Sequence, residues 1–151
     1  MPSTQSVESC SVRVVDASVW VSVLVPRDVH HVASRDWLQK VAFAGDGIVV
    51  PSLLLAEVAG AIARRTGRPA LGQRAIDRIL AFPMFRVASV DERLGRAAAR
   101  MAADRRLRGA DAVYVALADQ LGIPLITWDD EQISRRDGGI QVRTPDSDLS
   151  V

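Results

Sequence analysis

The chain has 151 residues, 48% of them hydrophobic and 25% charged, with a formal net charge of only +1. Those values describe one globular domain able to bury a sizeable core, and they exclude attachment to nucleic acid through a global basic field. Cys10 is the only cysteine, which excludes a disulfide framework and a cysteine-ligated zinc site and fits a reducing cytoplasm.

Residues 1–11 are polar and lack the basic start and apolar core of a signal peptide, so they read as a flexible leader. Val12, Arg13, Val14 and Val15 follow as a buried, β-branched strand, and Asp16 stands where it ends. Residues 19–25 open a helix that Pro26 ends or bends. Residues 30–43 place Val32, Ala33, Trp37, Leu38, Val41 and Ala42 at helical spacing. After a Gly45-Asp46-Gly47 turn, residues 48–50 form a second strand stopped by Pro51. The longest apolar run, 48–56, is too short to span a bilayer.

Residues 53–65 read as a buried helix, apolar on nearly every face apart from Glu57, with Gly67 just past its end. Residues 71–82 make another helix and residues 85–88 a third strand. Ser89-Val90-Asp91-Glu92 has the form of a capping box and launches a helix to about Leu107. Arg108-Gly109-Ala110-Asp111 breaks it and opens the next, which ends at Leu121-Gly122. Residues 124–127 are a fourth strand leading into Trp128, Asp129 and Asp130. A short helix to about Arg136 and a last strand over 140–143 complete the pattern. Strands alternating with helices imply a three-layer α/β/α sandwich with a mostly parallel sheet of about five strands. It spans 12–145, and 146–151 form a tail.

Four carboxylates stand out. Glu57 lies in an apolar helix with Leu53, Leu54, Gly60 and Ala61 at the positions where a local cation would sit, so its own helix offers no partner. Asp16 and Asp129 each leave the carboxyl end of a strand, where open α/β sheets gather function. Asp111 opens a helix. Each has a structural reading as well: Asp16 as a turn cap, Asp111 as a first-turn acid, and Asp129 as the start of a capping box with Gln132.

In this order, Asp16 after the first strand, Glu57, Asp111 in Arg-Gly-Ala-Asp-Ala, and Thr127-x-Asp129 after the fourth strand, the residues resemble the PIN domain. The resemblance is nearest to the VapC-like ribonuclease toxins of toxin–antitoxin pairs. It runs from about Val12 to Pro145 and is most specific in Val-Val-Asp-Ala-Ser, Leu-Leu-Ala-Glu-Val and Arg-Gly-Ala-Asp-Ala-Val-Tyr-Val-Ala-Leu-Ala. It implies an acidic site of Asp16, Glu57, Asp111 and Asp129, with Ser18 and Thr127 as hydroxyl support. Asp130 either shares the role of Asp129 or is an exposed first-turn acid. The resemblance also implies an RNA substrate, a cognate antitoxin and a homodimer.

Two carboxylates ~4 Å apart repel by roughly 4 kcal/mol at an effective dielectric near 20, so such a set calls for raised pKa values or a cation. All-oxygen donors select Mg²⁺ or Mn²⁺. The expected chemistry is metal-dependent phosphodiester hydrolysis, with Asp16, Asp111 and Asp129 as ligands and Glu57 acting through water or orienting it. The basic charge is nearly all arginine, Lys40 being the only lysine, and the guanidinium fork suits phosphates. Arg64, Arg65, Arg68, Arg105, Arg106, Arg108, Arg135 and Arg136 lie near helix ends; Arg64, Arg65 and Arg108 are taken as RNA contacts and the rest as solvated surface. His30 and His31 read as surface helix residues, and Trp20, Trp37 and Trp128 as core or interface, with Trp128 beside Asp129.

The alternative is a non-catalytic RNA- or protein-binding module of the same fold with a structural metal site. A phosphatase of the haloacid dehalogenase type also places an Asp after its first strand, but it needs a second Asp where Ser18 stands.

Overall fold

A computed structural model describes residues 10–149. Its sheet is built from β1 (Val12–Val15), β2 (Gly47–Pro51), β3 (Phe85–Ala88), β4 (Leu125–Ile126) and β5 (Val142–Arg143). All pairings are parallel and the spatial order is β3-β2-β1-β4-β5. Central parallel strands are covered on both faces and so read as continuous apolar runs. Accordingly Val14, Val15, Ile48, Val50, Leu125 and Ile126 are fully buried. The expected α/β sandwich and its five strands are what the chain forms.

Chain order runs outward from β1 through β2 to β3, then returns to the other side of β1 for β4 and β5. The sheet therefore reverses its winding between β1 and β4, and the crevice beyond their carboxyl ends is where such sheets bind ligands. The registers Val14↔Leu125 and Val15↔Ile126 bring Asp16 and Thr127 side by side at that edge.

The strands are covered by α1 (Ala17–Leu24), α2 (His31–Ala44), α3 (Leu53–Thr66), α4 (Pro69–Leu80), α5 (Glu92–Arg105), α6 (Gly109–Leu121), α7 (Asp130–Ser134) and α8 (Pro145–Asp148). The central helix is α6: Asp111 to Ala118 are all buried, and it packs on β1, β2 and β4. α3 is less enclosed than its composition suggests. Only Leu54, Val58 and Ile62 are buried, because its many alanines are apolar without being large enough to demand cover. α4 braces α3 at one close point, where a Cβ on Gly72 would lie 2.6 Å from the Ala59 carbonyl oxygen. Gly72→Ala is therefore expected to cost about 1–3 kcal/mol by overpacking, read in urea unfolding; a neutral result would mean that the helix pair yields freely.

Three local expectations shift. The helix expected from a Ser89 capping box begins instead behind Asp91, whose Oδ1 accepts from the Leu94 N–H at 2.8 Å. It stops at Arg105 because Arg106 turns left-handed, with φ 56°. The tail expected at 146–151 is folded as far as Asp148, which is only 3% exposed. That carboxylate accepts from Arg13 Nε at 2.5 Å, Trp37 Nε1 at 3.0 Å and Arg143 Nη1 at 3.0 Å. Of the leader expected at 1–11, residues 1–9 lie outside the described residues, while Ser11 extends the pairing of β1 through its carbonyl to the Gly47 N–H at 2.8 Å.

Candidate active site

Asp16 is delivered by β1 and is 5% exposed. Its Oδ2 accepts the Ser18 N–H at 3.0 Å and the Thr127 hydroxyl at 3.2 Å, so it caps α1 as an ordinary turn aspartate would. Its Oδ1 faces Gln132 Nε2 at 3.4 Å. Capping and cleft are thus two uses of one side chain. Asp129, beyond β4, is divided in the same way. Oδ1 accepts the N–H groups of Glu131 and Gln132 at 2.9 and 3.0 Å to cap α7, while Oδ2 pairs with Arg108 Nη2 at 2.9 Å.

Asp111, 9% exposed in the first turn of α6, completes a row of acids. Its Oδ2 pairs with Arg108 Nε at 2.8 Å, and its Oδ1 lies 3.4 Å from the same Gln132 amide that meets Asp16. Glu57 comes from α3 and is half-buried. Its partner stands on another helix: the Tyr114 hydroxyl donates to Oε2 at 2.6 Å. Asp16, Glu57, Asp111 and Asp129 line one cleft of about 410 Å³ together with Ser18, Arg64, Arg65 and Arg108. The Ser18 hydroxyl accepts the Trp128 N–H at 3.1 Å, and Thr127 Oγ1 accepts the Asp129 N–H at 2.9 Å. The two hydroxyls therefore tie the two strand ends together. Asp130 is exposed in the first turn of α7 and does not line the cleft.

Electrostatics mark the cleft as short of positive charge. Burial pushes the Asp16 carboxyl above its ordinary value, and repulsion from Asp111 adds to it. Burial likewise raises Glu57, with Asp16 and Asp111 repelling it, and raises Asp111, with Asp129 repelling it. Tyr114 is pushed up, by burial first and then by the acids it faces, so it stays a hydrogen-bond donor. Arg108 is held even more firmly protonated by its bond to Asp111.

Among the described residues, no group of three His, Cys, Asp or Glu side chains is arranged to hold a metal ion. The donors are nevertheless suited to one. They are all oxygen, they repel one another, and Arg108 lies as a cation across Asp111 and Asp129 while the Gln132 amide bridges Asp16 and Asp111. Gln132 is 1% exposed and its Oε1 has no partner among the described residues, a polar atom of the kind that an added ion or water satisfies.

Three residues at the site were not assigned there from sequence, or were given another part. Tyr114 sits inside the apolar run of α6, and its one signal is its position three residues after Asp111, on the same helix face. Gln132 reads as a capping partner, yet its side chain turns inward. Arg108 reads as an RNA contact, and its i,i+3 spacing to Asp111 also signals the ion pair that forms. Of the remaining arginines near helix ends, Arg64 and Arg65 reach the cleft, and Arg65 pairs with Asp28 at 3.1 Å. Arg105 pairs with Asp137, and Arg135 donates to the Arg106 carbonyl; these, like Arg68 and Arg136, do not line the cleft.

A family model described as the PIN domain matches residues 13–139. Among solved structures the chain is similar to Mycobacterium tuberculosis VapC20, described as a sarcin–ricin loop cleaving toxin, with 19% identity and TM-score 0.68 over 85% of this chain and 98% of that one. It is similar to VapBC2 from Rickettsia felis bound to a DNA fragment from their promoter, with 12% identity and TM-score 0.69 over 88% of this chain and 98% of that one. A toxin–antitoxin complex from Klebsiella pneumoniae aligns at 16% identity and TM-score 0.64 over 88% and 97% of the two chains. At these identities the likeness is one of fold. No curated protein matches the chain.

Proposed function

Because the chain belongs to the PIN domain family, we propose that it is a Mg²⁺- or Mn²⁺-dependent endoribonuclease, the toxin of a toxin–antitoxin pair, acting in the cytoplasm. The observation that carries this is the meeting of Asp16, Glu57, Asp111 and Asp129, from four separate elements, in one cleft rimmed by Arg64, Arg65 and Arg108. Similarity to a protein described as cleaving the sarcin–ricin loop supports RNA as the substrate. The similar complexes support a cognate antitoxin, and a homodimer is proposed with it. Among the described residues no helix is long and apolar enough to cross a membrane.

Asp16, Asp111 and Asp129 would hold one or two such ions, with Glu57 joining through water or orienting it. When bound, such an ion lowers the pKa of water and stabilises an in-line displacement at phosphorus. The chain's own residues supply the rest. Glu57, fixed by Tyr114, orients the attacking water from the wall of the cleft. Arg64 and Arg65 hold flanking phosphates, which position the strand without reading its sequence. Arg108, which pairs with Asp111 and Asp129, would become available to a substrate phosphate if those carboxylates gained another counter-charge. The products carry 5′-phosphate and 3′-hydroxyl ends.

The purified protein is expected to cleave RNA with Mg²⁺ or Mn²⁺ and to stop in EDTA. Chelation that lowers the melting temperature, with no cleavage of any cellular RNA, would favour the non-catalytic module. Arg108→Ala is expected to lower several-fold the Mn²⁺ concentration that half-maximally raises the melting temperature, because the side chain competes for two of the proposed ligands. A weaker Mn²⁺ response would make Arg108 a support for the ligands rather than their competitor.

A further inference from the structure

We infer that His30 and Trp128 form a stacking platform for an unpaired RNA base beside the scissile phosphate, a specificity element that rests on the ribonuclease function proposed above. The two rings are parallel within 6° with centroids 3.9 Å apart. Both line the same cleft as the four acids, and both remain partly open, whereas Trp20 and Trp37 are 2% and 1% exposed in the core.

The pair is held rigidly. The Trp128 indole N–H donates to Ser34 Oγ at 2.8 Å, and Ser34 in turn accepts from the Ser22 hydroxyl at 2.6 Å. The Trp128 backbone N–H is anchored on Ser18, and the His30 N–H donates to Asp28 Oδ1 at 3.0 Å. An indole whose one polar group is satisfied from inside has only its ring surface to offer the cleft. Trp128 precedes Asp129 directly, so a base on the platform and a phosphate over the acids can belong to neighbouring nucleotides. Arg64 and Arg65 on α3 supply positive charge for the backbone. Aromatic faces and arginines lining one groove are the means by which proteins hold unpaired strands, and a paired helix cannot present a base face in this way.

The test compares binding of an eight-nucleotide single-stranded oligoadenylate with that of an abasic ribose-phosphate oligomer of equal length. Ca²⁺ replaces Mg²⁺ to neutralise the acids, and fluorescence anisotropy reports the affinity. The full-length protein is expected to bind the oligoadenylate about 5- to 100-fold more tightly, the range of a base stacked on an aromatic ring. His30→Ala and Trp128→Ala should erase most of that preference while leaving the abasic affinity unchanged, and Trp128→Phe should keep most of it. Because Trp128→Ala could disturb the fold, His30→Ala and Trp128→Phe decide the matter, with circular dichroism confirming each variant. An undiminished preference in His30→Ala, an equal affinity of the wild type for both oligomers, or no binding of either would overturn the platform. Base-dependent binding that the variants lose, in a protein that cleaves no RNA with Mg²⁺, would remove the nuclease and leave the platform. Cleavage with an unaltered preference in the variants would do the reverse.

Discussion

Asp16→Asn is expected to reduce RNA cleavage by about 10³-fold or more while leaving the fold intact. A catalytic ion contributes several kcal/mol of charge stabilisation, and each 1.36 kcal/mol is a factor of about ten in rate. Asparagine keeps an oxygen for the Ser18 N–H and the Thr127 hydroxyl, and it caps helices as well as aspartate does. What it removes is the charge. Burial and the neighbouring Asp111 raise the Asp16 carboxyl above its ordinary 3.8. A carboxyl raised in the folded state contributes stability below its unfolded value and loses it as the pH climbs through the folded value. At pH 7 without metal, aspartate is therefore the less stable residue here. In EDTA, Asp16→Asn should melt at a higher temperature than the wild type, and the gap should narrow as the pH falls toward the ordinary carboxylate range. Added Mn²⁺ should raise the melting temperature of the wild type and not of the variant. Full cleavage by Asp16→Asn, or a lower melting temperature in EDTA, would remove Asp16 from the centre of the site.

Asp148→Ala is expected to destabilise the protein by about 3–5 kcal/mol, since removing one partner of a buried ion pair leaves the other charge uncompensated. Both carboxylate oxygens are engaged. Arg13 and Trp37 donate to one, Arg143 to the other, and the Arg13 side chain is 9% exposed. Without Asp148, Arg13 keeps only Asp46, at 2.7 Å, and the Trp37 indole N–H has no acceptor. The melting temperature should fall by roughly 10 °C, with the metal response of the remaining folded protein unchanged. A loss under about 1 kcal/mol, as for an ordinary surface substitution, would show that α8 merely rests on the domain.

The sheet and the acids at its edge were readable because each depends on short-range chemistry. A β-branched run, an aspartate at its end and an apolar helix interrupted by one glutamate keep their meaning wherever the chain goes next. What escaped depends on contacts between distant segments. Glu57 has no partner on its own helix, as its neighbours indicate, but that Tyr114 supplies one follows only from the reach of its long side chain from α6 to α3. Gln132 follows Asp129 at the spacing of a capping box. Asp129 does cap α7, yet the glutamine side-chain amide faces Asp16 and Asp111, 3.4 Å from each. Asp148 looks like part of a polar end because its donors are 135, 111 and 5 residues away. The shifted start of α5 is a contest between two caps two residues apart, Ser89 and Asp91, in which the carboxylate prevails. His30 and Trp128 lie far apart in sequence and meet only because α2 starts where β4 ends.

The proposed divalent-metal hydrolysis at these acids would use water as the nucleophile, whereas the alternative route to RNA cleavage uses the substrate's own 2′-hydroxyl. The two leave different ends. Mass spectrometry of the fragments released from RNA by the purified protein with Mg²⁺ should find 5′-phosphate and 3′-hydroxyl termini. Fragments ending in 2′,3′-cyclic phosphate with free 5′-hydroxyls would contradict a metal-assisted attack of water in the cleft of Asp16, Glu57, Asp111 and Asp129.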